Sequence, residues 1–329
     1  MATNKKKILL TQSMSPSGRA LLKERGDIVI VDFLNTISSP DFQALLAKEA
    51  PVNGVALGAT RFGPKELEAS REMLVVARIG VGFDAVEVPA LTARGIPLMV
   101  VGTANSVSVA EHAIFMMYAL AKQVMGQEKL VRENRWKDRW TAMPVDLAEK
   151  ALLIVGFGRI GTRTAKRALA MDMRVLVYDP YVSTANIIAA GCEPVTDLDA
   201  AVARADVVTI HCPKSPETIG MFNAARFARM KPTAFIVNTA RGGIIDEKAL
   251  HATLTAGKLA GAGIDVFDAE PTPADNPLLK LPNTIVSAHM AGVTAESMDR
   301  MAVTTVKNIL SVLDGKPNKE NAVNKEVFG

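Results

Sequence analysis

The chain has 329 residues, 49% of them hydrophobic and 22% charged, which excludes wholesale disorder and calls for about two domains of ~150 residues each. Its net charge of +4 comes from scattered basic residues, with Lys5-Lys6-Lys7 as the one run, and aromatics make up only 5%, so neither feature favours nucleic-acid binding. Two cysteines, Cys192 and Cys212, are too few for a disulfide framework and fit a reducing compartment. Near the amino terminus only Ile8-Leu9-Leu10 is apolar, too short for a signal peptide, and the densest apolar stretch, 113–121, is far short of the ~20 residues of a membrane span. A soluble, cytoplasmic protein with no membrane partner is expected.

In chain order, short β-rich runs alternate with helical stretches. Strands are predicted at 7–10, 28–33, 54–57, 74–78 and 96–101, with helices at 17–25, 41–48, 65–70 and 86–94 between them. Continuously apolar strands separated by helices predict a parallel sheet covered on both faces. From Ser106 to about Glu133 there is no Pro and one Gly, which predicts one long helix suited to a connector or an interface. Trp136 and Trp140 follow it in a polar, basic stretch. The alternation then restarts, with strands at 151–155, 174–178, 207–211, 234–238, 262–265 and 284–287, a helix at 158–171 and a final helix at about 294–313. Two βαβ series of similar size predict an α/β fold with two doubly wound parallel-sheet domains.

The second series opens on a phosphate-loop pattern. The strand Ala151-Leu-Leu-Ile-Val155 runs into Gly156-Phe-Gly158-Arg159-Ile160-Gly161 and then a helix, and the next strand ends in Asp179. Gly156 permits the tight turn, Gly158 lets the backbone approach a pyrophosphate, and Gly161 lets helix and strand pack closely. The helix N-terminus offers N–H groups and a positive dipole end to the phosphates. Asp179 suits the adenosine ribose hydroxyls and repels a 2′-phosphate, so NAD is expected rather than NADP. The competing reading is a glycine turn in an unliganded βαβ unit.

Reacting groups are sought at strand ends, where ligands bind in doubly wound sheets. His211 and His289 end strands, Arg241 ends one just before two glycines, and Glu270 follows another that ends in Asp265. The alternatives are satisfied structural histidines, a solvated Arg and a loop carboxylate. His112 reads as structural and His251 as solvated. No Cys/His spacing suggests a metal, and no metal is expected; no Ser/His/Asp pattern suggests a hydrolase.

From about Arg78 to Val323 the chain resembles the D-isomer-specific 2-hydroxyacid dehydrogenases. The resemblance is carried by ARIGVGFDAVE (78–87), SVAEHA (108–113), VGFGRIG (155–161) and HCPKSPETIGMFN (211–223). It continues through MKPTAFIVNTARGGIIDEKAL (230–250), GAGIDVFDAEP (261–271) and AHMAG (288–292). It implies a flavodoxin-like substrate-binding domain at 1–105 plus 296–329 and a Rossmann NAD-binding domain at 106–295. It implies Arg241, Glu270 and His289 as catalytic residues. His289 would act as general acid/base with Glu270 as partner, and Arg241 would hold the substrate's carboxylate and oxo group. NAD contacts would come from Gly156, Gly158, Arg159, Ile160, Gly161, Asp179, Cys212, Thr239, Ala240, Asp265 and Gly292, with Asp265 on the nicotinamide carboxamide. Substrate contacts would come from Arg61, Arg78, Val81 and Gly82. A homodimer through 106–150 is implied too.

The chain departs from the family at Ala288, where Pro usually precedes the histidine. Glu149 and Ala151 also depart, altering the usual Gly-Lys-Thr lead into the nucleotide strand. Within the family the resemblance leans toward enzymes of phosphoglycerate, with Lys137 or Arg139 reaching across a dimer. Glyoxylate or hydroxypyruvate reduction, or another D-2-hydroxy acid, is the alternative, and an NAD-responsive corepressor is a non-enzymatic one. No appended serine-responsive regulatory domain is expected.

Overall fold

A computed structural model describes residues 5–141 and 143–329; residues 1–4, at the start of the segment read for a leader, and Ala142, inside the expected dimer segment, lie outside it. The chain divides into two compact units, Met1–Asn105 with Val293–Gly329, and Ser106–Gly292.

The first unit is built on β1 (Lys6–Thr11), β2 (Ile28–Phe33), β3 (Gly54–Leu57), β4 (Val75–Arg78) and β5 (Leu98–Met99), with α1 (Pro16–Lys23), α2 (Ser39–Glu49), α3 (Pro64–Ser70) and α4 (Val88–Thr92) between them. The strands form a parallel sheet in the order β2-β1-β3-β4-β5. Strand periodicity sends neighbours to opposite faces. Leu9, Val55, Leu57 and Val76 enter one core cluster with Phe42 and Leu46 of α2, while Ile8, Leu10, Ala56, Val75 and Ala77 enter another. Each fully buried Leu, Ile, Val or Phe among them is worth about 1.5–3 kcal/mol.

Residues 96–101 form only a two-residue strand, because side chains and backbone from the end of the chain take over their hydrogen bonds. Asn324 Oδ1 accepts from Leu98 N at 2.8 Å, Asn324 Nδ2 donates to Ile96 O at 3.0 Å, and Val100 N donates to Asn321 O at 2.8 Å.

The second unit contains α5 (Ser106–Ala121), α6 (Val124–Arg132), β6 (Ala151–Val155), α7 (Gly161–Leu169), β7 (Arg174–Tyr178), α8 (Thr184–Ala189), β8 (Glu193–Pro194), α9 (Leu198–Arg204), β9 (Val207–Ile210), α10 (Ala224–Phe227), β10 (Phe235–Asn238), α11 (Glu247–Thr255), β11 (Gly261–Ile264) and β12 (Thr284–Val286). Its seven strands are all parallel, in the order β12-β11-β10-β9-β6-β7-β8. The chain leaves β6 toward β7 and β8 and returns to β9 on the other side of β6, so the switch point lies over the β6–α7 turn. α5 lies on this sheet because β11 is small there. A Cβ on Gly263 would sit 3.0 Å from Met116 Cβ, and one on Gly261 3.0 Å from Leu120 Cδ2.

The single helix expected from Ser106 is two. Gln123 breaks it with a left-handed backbone at φ 50°. The returning chain occupies the break: Val145 N donates to Ala121 O at 2.8 Å, and Gln123 Nε2 donates to Met143 O at 3.0 Å. No periodicity reports such long-range partners. The last helix, α12 (Ala295–Leu313), returns to the first unit. Thr294 caps it, exchanging hydrogen bonds with Ser297 at 2.9 and 3.1 Å. Among the described residues no helix is long and apolar enough to cross a membrane.

Candidate active site and nucleotide loop

The nucleotide loop sits at the switch point. Gly156 has φ 96°, and a Cβ there would lie 2.6 Å from Cys212 N and 2.7 Å from the His211 carbonyl carbon, so only glycine lets β6 turn beside the end of β9. A Cβ on Gly161 would lie 2.1 Å from Gly156 O, whereas one on Gly158 would meet nothing within 4 Å. The loop is therefore packed at its first and third glycines and open at the second, as a backbone cradle for phosphate requires. Ile160 offers α7 no side-chain cap. Arg159 and Ile160 lie in this turn.

Asp179, just past β7, accepts from Phe157 N at 2.7 Å through Oδ2 and from Tyr181 N at 2.9 Å through Oδ1. The acid is thus tied to the glycine loop it is expected to serve. Beside it, Tyr181 Oη donates to Glu217 Oε2 at 2.6 Å, joining the segments that follow β7 and β9. Neither residue was legible as part of the site, because the link between them is purely tertiary. Burial pushes the Cys212 thiol up to about 11 and His211 down to about 3, so both are neutral near pH 7.

The end of β10 turns sharply at 238–243. Asn238 Oδ1 accepts from Ala240 N at 3.0 Å, and Asn238 Nδ2 donates to Arg241 O at 2.9 Å. Arg241 Nη1 donates to Ala240 O at 2.7 Å. The glycines that follow are steric necessities, since a Cβ on Gly242 would lie 1.8 Å from Phe267 O and Gly243 has φ 83°. They bring the Arg241 turn against the loop after β11, where Asp268 Oδ1 accepts from Gly243 N at 2.6 Å. Thr239 lies in the same turn, largely buried.

The loop after β11 carries Glu270. Its Oε1 accepts from Phe267 N at 3.0 Å, which leaves Oε2 2.7 Å from His289 Nδ1. His289 and Glu270 side chains are 48% and 37% exposed, so the dyad is open to solvent and to a ligand. His289 is held at φ 53°, a left-handed conformation unusual for histidine. Asp265 explains it. This residue is fully buried; its carbonyl accepts from His289 N at 2.8 Å, its Oδ1 from Met290 N at 2.8 Å and its Oδ2 from Ala291 N at 3.0 Å. The carboxylate expected on the nicotinamide carboxamide is thus already engaged by the His289 loop, and the constraint that Ala288 gives up is supplied by Asp265. Gly292 closes the loop.

The substrate-side residues expected in the first unit are placed there as follows. Arg78 Nε donates to Gly82 O at 2.9 Å, which folds the 79–82 turn, Val81 included, around the guanidinium. Arg61 is 69% exposed and pairs with Glu87 Oε1 at 2.7 Å, an ion pair that raises the guanidinium further. Sequence reading missed Glu87 as Arg61's partner. Among the described residues no cluster of three or more His, Cys, Asp or Glu side chains is arranged to hold a metal ion.

Comparison with known proteins places this geometry among relatives. A family model described as D-isomer specific 2-hydroxyacid dehydrogenase, NAD binding domain, matches residues 114–291. A D-3-phosphoglycerate dehydrogenase of Archaeoglobus fulgidus is 38% identical over 270 residues, covering 82% of this chain; the chain spans only 51% of that protein. A glyoxylate reductase of Thermofilum pendens is 32% identical over 326 residues, covering 98% of this chain and 95% of that one. The crystal structure of an Aquifex aeolicus D-lactate dehydrogenase, complexed with NAD and lactic acid, superposes with a TM-score of 0.84 at 27% identity, covering 96% of this chain and 99% of that one.

Proposed function

We propose a reaction for a chain that belongs to the D-isomer specific 2-hydroxyacid dehydrogenase family: reversible, NAD-dependent reduction of a 2-oxo acid to a D-2-hydroxy acid. The observation that carries the proposal is the His289–Glu270 pair, 2.7 Å apart and open, on the same sheet edge as Arg241 and the glycine loop. The chain's cofactor is NAD, matching its NAD binding domain. The loop fits it: Gly156 makes room beside Cys212, and Gly158 is open. Gly156, Gly158, Arg159, Ile160 and Gly161 would hold the pyrophosphate, Asp179 the ribose, and Cys212, Thr239, Ala240, Asp265 and Gly292 the remainder. When bound, the cofactor supplies or accepts the hydride.

The protein's own residues handle the proton and the charge. In reduction, His289 protonated on both nitrogens donates from Nε2 to the substrate oxygen, while Glu270 accepts from Nδ1–H and orients the ring. In oxidation, His289 starts neutral and takes the hydroxyl proton. Arg241 stabilises the developing alkoxide and fixes the carboxylate in a planar, bidentate grip. Arg61, Arg78, Val81 and Gly82 are the proposed substrate-binding residues of the first unit.

3-Phosphoglycerate is our leading substrate, on the likeness to the Archaeoglobus enzyme and on two arginines in that unit. A second reading, glyoxylate or hydroxypyruvate reduction, draws support from the Thermofilum relative and from the engagement of Arg61 by Glu87. We also assign a cytoplasmic homodimer, formed through 106–150. Phe115, Met125, Val131, Trp136, Trp140 and Met143 are all more than half exposed in that stretch, a concentration typical of a covered face.

The deciding experiment is NADH oxidation, with NADPH in parallel, against 3-phosphohydroxypyruvate, hydroxypyruvate, glyoxylate, pyruvate and 2-oxoglutarate. Preference for 3-phosphohydroxypyruvate with NADH is expected. Turnover of glyoxylate or hydroxypyruvate alone selects the second reading, and silence on every acid with NADH still bound rejects both.

A further inference from the structure

We infer that His112, which no part of the reaction above uses, is a positioning residue for His289, acting through Ser287 and Asp265. The inference rests on the dehydrogenase reading for what His289 does; the link itself is a run of hydrogen bonds in the structure.

His112 lies on α5, and its side chain is 22% exposed. Its Nε2 is 3.0 Å from Ser287 Oγ and 3.9 Å from Asp265 Oδ1. Ser287 stands just past β12, and its hydroxyl is bonded to Asp265 Oδ1. Proton accounting gives this chain a direction. A carboxylate accepts and does not donate, so the one hydroxyl hydrogen of Ser287 goes to Asp265. Ser287 Oγ therefore accepts from His112, and His112 carries a proton on Nε2. The relay runs from His112 Nε2–H to Ser287 Oγ–H to Asp265 Oδ1.

What lies at its far end is the turn of the reacting histidine. Asp265 takes the backbone N–H groups of His289, Met290 and Ala291, at 2.8, 2.8 and 3.0 Å. These bonds hold His289 at φ 53°, where a non-glycine residue stays only if its surroundings impose it. Without the His112 donor, Ser287 keeps a desolvated lone pair, and its hydroxyl is free to turn away from Asp265. The carboxylate then loses its fixed rotamer, and the Met290 and Ala291 amides lose a rigid acceptor, while His289 N keeps the Asp265 backbone carbonyl. A loosened turn displaces the imidazole from its proton-transfer geometry while leaving the glycine loop intact. A shift of this kind is read more in kcat than in cofactor affinity, to which Asp265 is one contact among many.

The test uses the full chain. His112→Phe keeps a ring and removes the donor. His112→Gln restores an N–H of similar reach. Ser287→Ala cuts the relay at its middle and serves as the second variant. Amide hydrogen exchange at Met290 and Ala291, read by NMR without cofactor, is measured beside kcat and the KM for NADH with the best acid of the panel. His112→Phe and Ser287→Ala are expected to speed exchange of both amides by about tenfold and to lower kcat by about tenfold, with KM for NADH, to which Asp265 is one contact among many, moving by no more than about threefold. His112→Gln is expected to recover both to within about threefold of wild type. Wild-type exchange in His112→Phe, faster exchange with unchanged kcat, or no recovery in His112→Gln each overturns the inference. A wild-type protein inactive on every acid, whose exchange nevertheless responds as stated, faults the dehydrogenase reading and supports the link from His112 to the turn.

Discussion

The two sheets are parallel, doubly covered and cored alike, yet the residues at their carboxyl edges are held very differently. In Ser106–Gly292 the reacting pair His289–Glu270 belongs to a hydrogen-bonded network that leaves both side chains part exposed. Glu270 gives Oε1 to the backbone and Oε2 to His289, and Asp265 accepts from the Ser287 hydroxyl and from the amides of the His289 turn. In the other unit Arg61 is 69% exposed and pairs with Glu87, and Arg78 has Gly82 O among its partners. The lesson is that a reacting group needs several fixed neighbours to be aimed, whereas a charge that only attracts an anion needs no such frame.

The largest expected effect breaks the aimed edge directly. His289→Gln lowers kcat by ~100-fold or more while NADH binding, followed by fluorescence titration, stays nearly intact. Unchanged turnover would remove His289 from the proposed role. Gly156→Ala sharpens the same comparison from the cofactor side. Its Cβ would be driven to 2.6 Å from Cys212 N at φ 96°, so NADH affinity is expected to fall at least ~10-fold. An affinity equal to wild type would show that the loop yields more readily than its packing implies.

A smaller effect comes from His211, behind the glycine loop. Burial lowers it to about 3 in the folded chain, against ~6.5 unfolded. The unfolded state therefore binds more protons between those values, so stability is complete above about pH 6.5 and falls as pH drops toward 3. Thermal midpoints at pH 7 and pH 5 should differ less in His211→Gln than in wild type; equal differences would mean that other groups carry the acid sensitivity. The smallest effect concerns Glu149, at φ 62° where the family has glycine. Glu149→Gly is expected to raise stability by about 0.5–1 kcal/mol, measured by urea unfolding, and a loss of stability would count against strain at that position.

Much of the fold was legible because its signals are local. Residues 28–33, 54–57, 151–155 and 174–178 are strands as their apolar runs predict, and the glycines of 156–161 lie where a strand turns into a helix. Elements that depend on distant partners were not legible. The two-residue β8 went unread, 96–101 lost its ladder to Asn321 and Asn324, and the helix from Ser106 broke where Gln123 meets Met143. The same division runs through the site. His289, Glu270 and Arg241 were legible as residue types at strand ends, while the work of Asp265 was not, since a carboxylate beside a strand does not announce which amides it binds.

By itself, the sequence determined most of the alternation of strands and helices, the glycine turn that follows 151–155, and the set of side chains able to move a proton and grip a carboxylate. Those follow from backbone sterics, periodicity and side-chain chemistry, all properties of neighbouring residues. Tertiary structure decided which oxygen of Glu270 faces His289, that Asp265 bends the His289 turn, that Arg61 is matched by Glu87, and that His112 reaches Ser287. Those are hydrogen bonds between residues from 19 to 175 positions apart, and they exist only once the parallel sheets have brought their strand ends together.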